Sequence, residues 1–373
     1  MSSIDVIVPC YKYGHFLRQC VSSVLAQPGP SVRVLVIDDA SPDDTFEVAT
    51  ALARHDSRVR VQRHSTNQGH IATYNEGVAW AEADYMLLLS ADDYLLPGAL
   101  ARACDLLDKH PEVGFVFGRA FGGRPTGLHG EARLAGKRRA ENDVEILTGE
   151  RFLEVSGCRA IVPTPTAVVR MSLQRRLGGY RTDLPHTGDM EMWYRFAAHG
   201  SVGVLGAFQA VYRLHGANMS HTYFTTYRLP DLRHRQAAIE TFFSGDGSSM
   251  RRAAVLRKGM IGSLAKDATG FASAAFNDGD FKACDELTAY ALTLSPTVRF
   301  SAPWIKLESK RRLGLRGWRA IAPAVKRLRL AARRVRASDF VRADQGASSA
   351  VVAAPSHLQA LAPGASSMDE DGR

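Results

Sequence analysis

Four apolar, β-branched or aromatic runs stand near the start of the chain: Ile4 to Pro9, Val32 to Ile37, Val59 to Val61 and Tyr85 to Leu89. Each is followed by a polar or glycine-containing turn, and between them apolar positions recur at helical rather than alternating spacing. The pattern predicts helices over Phe16 to Ala26, Thr45 to Ala53 and Ile71 to Ala81, the last with apolar or aromatic residues at 71, 74, 78 and 81. The second helix is announced by Ser41-Pro42-Asp43-Asp44, which supplies a cap, a first-turn proline and acids at the positive end of the helix dipole. Strand starts fall about 25 to 30 residues apart, the length of a βαβ unit. Runs that are apolar throughout suit a parallel sheet covered on both faces. Residues 1–115 therefore read as a Rossmann-like α/β half, a mostly parallel central sheet with helices on both faces.

From 116 to 225 the pattern is more irregular. Glycine-rich "GRAFGGRPTGLHG" predicts a mobile loop and basic "GKRRAEND" an exposed one. Strand-like "PTPTAVVR" and "SVGVLGAFQAVYRLH" flank a helix-like "DMEMWYRFAAHG" that ends in glycine. This stretch reads as the second half of the same domain. After Arg228 the pattern turns helical through about 335, a C-terminal helical extension over 226–342. The last stretch, 343–373, is rich in Ala, Ser, Gly and Pro and is expected to be disordered.

Composition narrows the class. With 45% hydrophobic and 23% charged residues in 373, the chain is an ordinary soluble globular protein long enough for a large core. No charged leader precedes an apolar segment and no apolar stretch nears the roughly 20 residues of a membrane span, so neither signal-directed secretion nor a spanning helix is expected. Five scattered cysteines match neither a disulfide framework nor zinc-ligand spacing, which points to reduced thiols in a cytoplasm. The net charge of +9 is local: between Lys306 and Arg336 twelve Lys or Arg face one acid, Glu308, leaving the rest of the chain slightly negative. A nucleic-acid binder would carry its basic stripe across the folded domain, so no nucleic-acid partner is expected.

In open α/β sheets ligands bind beyond the carboxyl ends of the strands. Those ends carry Pro9-Cys10-Tyr11, Asp38-Asp39-Ala40-Ser41, the segment from His64 to Asn67, and Ser90-Ala91-Asp92-Asp93. Adjacent carboxylates repel, and burying them unpaired costs several kcal/mol or shifts their pKa values, so something positive is expected beside Asp92 and Asp93. One such pair alone is equally well a turn or helix cap. Two pairs at neighbouring strand ends suggest recognition of a cation or of ribose hydroxyls. A hard cation such as Mg²⁺ or Mn²⁺ takes one or two carboxylates together with the oxygens of a substrate diphosphate. No G-x-G-x-x-G follows the first strand and no P-loop is present, which argues against a dinucleotide or an ATPase-type cradle.

Five ordered motifs, "VIVPCYKYGHFLRQCVSSVLAQ", "VLVIDDASPDDT", "NQGHIATYNEGVAWAEADYMLLLSADDYLLPGAL", "TGDMEMWYR" and "YRLHGANMS", together cover about residues 3–222. In this order and spacing the chain resembles the inverting glycosyltransferases of family 2, whose fold is called GT-A. The resemblance implies a nucleotide-sugar site at Pro9, Tyr11, Asp38 and Asp39. It adds Asn67, Gly69 and Asn75, whose helix N-terminus would face phosphates. The family's metal motif, often D-x-D-D, falls on Ser90, Asp92 and Asp93, with Ser90 where the first Asp usually stands. Asp92 is the implied ligand of Mg²⁺ or Mn²⁺, and His215 resembles the residue that approaches the metal or diphosphate from the last motif. Asp189 corresponds to the general base, with Gly188 in place of the usual preceding Glu. Glu191 and Trp193 would line the acceptor site, although by position alone they read as helix surface and core.

The implied reaction transfers a sugar from a nucleotide-sugar donor, a UDP-sugar first, to a saccharide or lipid-linked acceptor in polysaccharide or glycan assembly. Two alternatives stay open: a nucleotidyltransferase that makes nucleotide sugars, and a non-catalytic sugar- or lipid-binding scaffold. Within 320–336, Ile321, Val325, Leu328, Ala332 and Val335 form one stripe among Lys326, Arg327, Arg329, Arg333 and Arg334, a basic amphipathic helix. Such a helix suits an anionic membrane surface, at the inner face of the plasma membrane for a cytoplasmic protein, and equally suits packing on the domain with a solvated basic face.

Overall fold

The computed structural model describes residues 2–122, 140–216, 218 and 229–349, with side chains as far as 325 and at 327. The first strands are β1 (Ser3–Cys10), β2 (Ser31–Asp38), β3 (Val59–Arg63) and β4 (Tyr85–Leu88), alternating with helices α1 (Gly14–Leu25), α2 (Thr45–His55) and α3 (His70–Trp80). They form the parallel order β3-β2-β1-β4. The registers Ile7↔Leu35 and Ile7↔Leu88 bring the four carboxyl ends to one edge. Ile4, Val6, Ile7 and Val8 of β1 are all fully buried, because the strand is covered on both faces, as its unbroken apolar run requires.

The sheet continues with β5 (Tyr94–Leu95), β6 (Val113–Phe121), β7 (Val144–Leu147), β8 (Val168–Arg170) and β9 (Ser201–Val211). Among the described residues it has nine strands, ordered β3-β2-β1-β4-β8-β6-β9-β5, with β7 on β9. β8 runs antiparallel between β4 and β6, and β5 antiparallel to β9 with Tyr94 opposite Val211. That last pairing carries the chain after Val211 back to the acids that precede Tyr94. Helices α4 (Ala99–Lys109), α5 (Gly149–Ser156), α6 (Met171–Leu177) and α7 (Gly188–His199) complete this half. The strand expected over "PTPTAVVR" starts only at Val168, because Thr164–Thr166 wind into a short 3-10 turn.

One buried acid ties the first strands together. Asp5, fully buried, takes both arms of Arg33 at 2.8 and 2.7 Å and the amides of Glu82 and Ala83 at 2.7 and 2.9 Å. Asp5→Ala would leave two amides without an acceptor, so a loss of about 1–3 kcal/mol in unfolding free energy is expected from urea titration. An unchanged midpoint would contradict that role.

The helical region begins with α8 (Leu229–Ser244), α9 (Ala253–Asp278) and α10 (Phe281–Leu294). These pack on the α/β half: the Phe242 ring lies 5.6 Å from that of Tyr194 on α7, and Arg235 reaches Cys158 O at 3.4 Å and Asp267 at 3.3 Å. Residues Met1–Ser309 are accordingly one compact unit, and Lys310–Arg373 a second. Helix α11 (Ala302–Ser349) has its non-helical point at Gly314 (φ 69°) and contains Pro323. Its backbone is helical throughout 320–336 and runs past 343, where the sequence pattern predicts disorder; residues 350–373 lie outside the described ones. The glycine-rich and basic loops expected between 118 and 143 fall largely outside them too. No described helix is long and apolar enough to cross a membrane, and all five cysteines are buried and outside any disulfide.

Candidate active site

The strand-end acids meet at the carboxyl edge, and each has a separate partner. At the end of β2, buried Asp38 accepts from the Ser41 amide at 2.9 Å and lies 3.2 Å from Arg63 Nε. That turn includes Ala40 in the left-handed region, φ 56°. The carboxylate of Asp38, expected at the nucleotide, is buried and closes this turn. Asp39 points the other way. Its Oδ1 accepts from His64 Nδ1 at 2.7 Å and the Gln68 amide at 2.7 Å, and its Oδ2 from the Gly69 amide at 2.9 Å. Asn67 Nδ2 donates to Asp39 O at 3.1 Å. The amides before α3, expected to face phosphates, are thus turned onto Asp39, and Gly69 adopts φ 83°, ψ 157° to allow it.

Asn75 has a different task from the expected one. Its amide brackets Tyr180, accepting from the backbone N–H at 2.6 Å and donating to the carbonyl at 2.9 Å, so it fastens α3 to the loop before α7. Pro9 lies in β1 opposite Ile37. Tyr11 beyond it is 39% exposed, with Lys12 Nζ 5.0 Å from its ring centroid. Its ring is available to a ligand.

The acids after β4 are held from across the sheet. Asp92 Oδ2 accepts from His215 Nε2 at 3.0 Å and Asn218 Nδ2 at 3.3 Å, while Asn218 Oδ1 takes the His215 amide at 2.6 Å. The rings of Tyr13 and Phe16 pack on His215 at 5.4 and 5.2 Å. Buried Asp93 accepts from the Arg213 amide at 2.9 Å, and burial together with the charge of Asp92 pushes its carboxyl up to about 8. The positive group expected beside the pair is Arg213: its guanidinium donates to Asp92 O at 2.6 Å and to Gln19, between the rings of Phe16 and Tyr94 at 4.7 and 4.8 Å. Ser90 accepts the Asp93 amide on its carbonyl at 2.9 Å, shaping the turn. Sequence position alone does not pair Arg213, His215 or Asn218, which follow β9, with Asp92, since more than a hundred residues separate them.

Asp92 Oδ1 has no hydrogen bond among the described residues, so it keeps acceptor capacity that Oδ2 has spent. No group of three or more His, Cys, Asp or Glu side chains able to hold a metal occurs among the described residues. Asp92 offers one carboxylate oxygen, and His215 an imidazole once Nε2 gives up its hydrogen bond to Asp92 Oδ2, a donor set that fits a divalent cation sharing its coordination sphere with a diphosphate and water rather than an all-protein cage.

Asp189 opens α7, its Oδ1 accepting the Met190 amide at 2.7 Å and its Oδ2 lying 3.5 Å from Thr164 Oγ1. Burial pushes its carboxyl above the usual carboxylate range, against the lowering pull of these hydrogen bonds and of His186. Tyr74, on α3, packs its ring against Tyr180 at 5.5 Å and His70 at 5.4 Å. Burial raises its phenol far above the ordinary value, and the charges of Tyr180, Asp189, Asp92 and Tyr212 add to that rise. Neither Tyr74 nor Thr164 stands out in the sequence, where each is one more residue of a helix stripe or a Pro-Thr repeat.

Glu191 and Trp193 do not reach an acceptor surface. Glu191, fully buried, pairs with Arg195 at 2.9 Å and Arg181 at 3.3 Å. The Trp193 ring stacks on Phe115 at 5.1 Å, 3% exposed. Helix α7 is buried on nearly every side, from Met190 to Ala197, so packing inside the domain decides the role of both.

Residues 5–161 match the model described as Glycosyl transferase family 2. This segment belongs to glycosyl transferase family 2. Glycosyltransferase GlyG of Streptococcus pneumoniae is 32% identical over 90 residues, 24% of this chain and 30% of its own length. An uncharacterized Mycobacterium tuberculosis protein is 28% identical over 208 residues, 53% and 63% of the two chains, and the chondroitin synthase of Pasteurella multocida 32% over 97 residues, 26% and 10%. The chain thus spans less than two thirds of the length of these relatives. Among solved structures, mannosyltransferase PcManGT from Pyrobaculum calidifontis, in complex with GDP-Man and Mn²⁺, superposes with a TM-score of 0.52 at 18% identity, covering 88% of this chain and 87% of its own. The likeness is one of fold, and the fold of the family 2 segment and its continuation is GT-A.

Proposed function

We propose that this chain is an inverting glycosyltransferase that moves a sugar from a nucleoside diphosphate, a UDP-sugar in the first instance, to an acceptor hydroxyl. The observation that carries this reading is the half-engaged carboxylate of Asp92, fixed on one oxygen by His215 and Asn218 and open on the other, at the carboxyl edge of a parallel sheet. In a single displacement the acceptor oxygen bonds to the anomeric carbon as the bond to the diphosphate oxygen breaks. The hydroxyl proton needs a base. Asp189 takes that part, because a carboxylate whose affinity for a proton is raised by burial accepts one more readily. Asp92 and His215 would hold Mg²⁺ or Mn²⁺, which when bound supplies Lewis-acid stabilisation of the departing diphosphate. Asp39 keeps acceptor capacity on Oδ2 for a ribose hydroxyl or a uracil N–H, and the exposed Tyr11 ring offers a face to the base.

Incubation with UDP- and GDP-sugars, Mn²⁺ or Mg²⁺ and saccharide or lipid-linked acceptors tests the reading, by mass spectrometry and by NMR of the new linkage. Release of free nucleoside diphosphate with opposite anomeric configuration in product and donor is expected. Pyrophosphate release from a nucleoside triphosphate and a sugar phosphate would instead assign a nucleotidyltransferase, and retained configuration would remove the single displacement.

A further inference from the structure

His64 follows the last residue of β3, its amide donating to Asp38 O at 2.9 Å, and its ring lies between two carboxylates. Nδ1 is 2.7 Å from Asp39 Oδ1 and Nε2 is 2.6 Å from Glu76 Oε2 on α3. A neutral imidazole donates from one nitrogen only, and an ionised carboxylate only accepts. Both contacts are therefore hydrogen bonds when both ring nitrogens carry protons. The side chain is 6% exposed. Burial alone would lower its affinity for a proton, and the hydrogen bonds to Asp39 and Glu76 outweigh that and raise it. The other charged groups on the ends of β2 and β3 pair with each other, Arg63 Nε lying 3.2 Å from Asp38, with the guanidinium over the ring of Phe46.

The same Asp39 carboxylate receives the Gln68 and Gly69 amides, so the imidazole sets the rotamer on which the turn before α3 is built. We propose that His64 is a positioning residue of the donor site, an imidazolium clamped between Asp39 and Glu76 that aims the free acceptor capacity of Asp39 at the nucleoside. The inference rests on the reading of this edge as the donor site. Loss of the proton would leave one of the two carboxylates facing an unprotonated nitrogen, loosening the clamp through which the ring holds Asp39 to α3. The sign follows from the raised proton affinity: the clamp is complete below the ordinary histidine range and is lost as pH rises through the higher folded-state value.

The test uses the full chain, with UDP and Mn²⁺ as the probe. Calorimetric Kd values are measured from pH 6 to 9 for wild type, His64→Gln and Glu76→Gln, alongside ¹⁵N shifts of the imidazole and hydrogen exchange of the Gln68 and Gly69 amides. Wild type is expected to bind UDP more weakly as pH rises. His64→Gln should weaken binding by about tenfold or more and flatten that dependence. Glu76→Gln, which leaves the Asp39 contact, should shift the dependence to lower pH and leave the rate at saturating donor near that of wild type. A neutral imidazole signature at pH 7, or the wild-type profile in His64→Gln, overturns the proposal. Should wild type bind no nucleoside diphosphate while the two amides still follow the His64 titration, the donor-site reading falls and with it the role assigned to His64, leaving a clamp that only holds the loop.

Discussion

Asp189→Asn is expected to reduce transfer by roughly 10²–10⁴-fold, the usual contribution of a positioned general base, while UDP binding stays within a few-fold of wild type. The amide preserves the size of the side chain and can still accept from the Met190 amide, so α7 should begin where it does now. What disappears is the ability to take a proton. The same assignment predicts a pH profile. Burial raises the carboxyl above the usual carboxylate range, and a base works only when ionised, so the rate at saturating donor should fall as pH drops through that raised value. The acid limb should therefore lie above the ordinary aspartate range. Equal turnover by Asp189→Asn, or a profile unchanged by the substitution, would remove Asp189 from the chemistry.

Asp92→Ala is expected to abolish Mn²⁺-dependent UDP binding, a larger effect than the roughly 10–100-fold that losing a supporting partner costs a metal site. The reason is that the substitution removes the carboxylate that, among the described residues, His215 and Asn218 hold, together with its unengaged oxygen. UDP calorimetry with and without Mn²⁺ separates the two contributions. In wild type, Mn²⁺ should tighten UDP binding; in Asp92→Ala the two titrations should coincide. Should the variant keep its response to Mn²⁺, the cation is held elsewhere. Circular dichroism of the variant guards against a misfolded product, since Arg213 also donates to the Asp92 carbonyl, which alanine retains.

Much of the frame was legible along the chain because it depends on short-range periodicity. An unbroken apolar run such as Ile4 to Pro9 has few ways to be buried other than as a strand covered on both faces, and the runs at 32, 59 and 85 repeat that logic at βαβ spacing. From the parallel order it follows that Asp39 and Asp92 share an edge, which β1 between β2 and β4 bears out. The second half was less readable. Strand β8 is three residues long and antiparallel, and the 3-10 turn before it carries Thr164 next to Asp189. Neither leaves a periodic trace.

By itself, the sequence determined the α/β frame, the edge at which polar residues gather and the family to which the segment 5–161 belongs. Only the tertiary structure decided what each acid does there. Asp38 closes a turn, Asp39 rests on His64, Asp93 shares its burial with the Arg213 amide, and Asp92 alone of the second pair meets His215. It likewise turned Glu191 and Trp193 inward and made Asn75 a strut. The physical reason is that a carboxylate's role is set by the donors within about 3 Å of it. At this site several of those donors come from positions more than a hundred residues away in the chain, brought near by strand pairing.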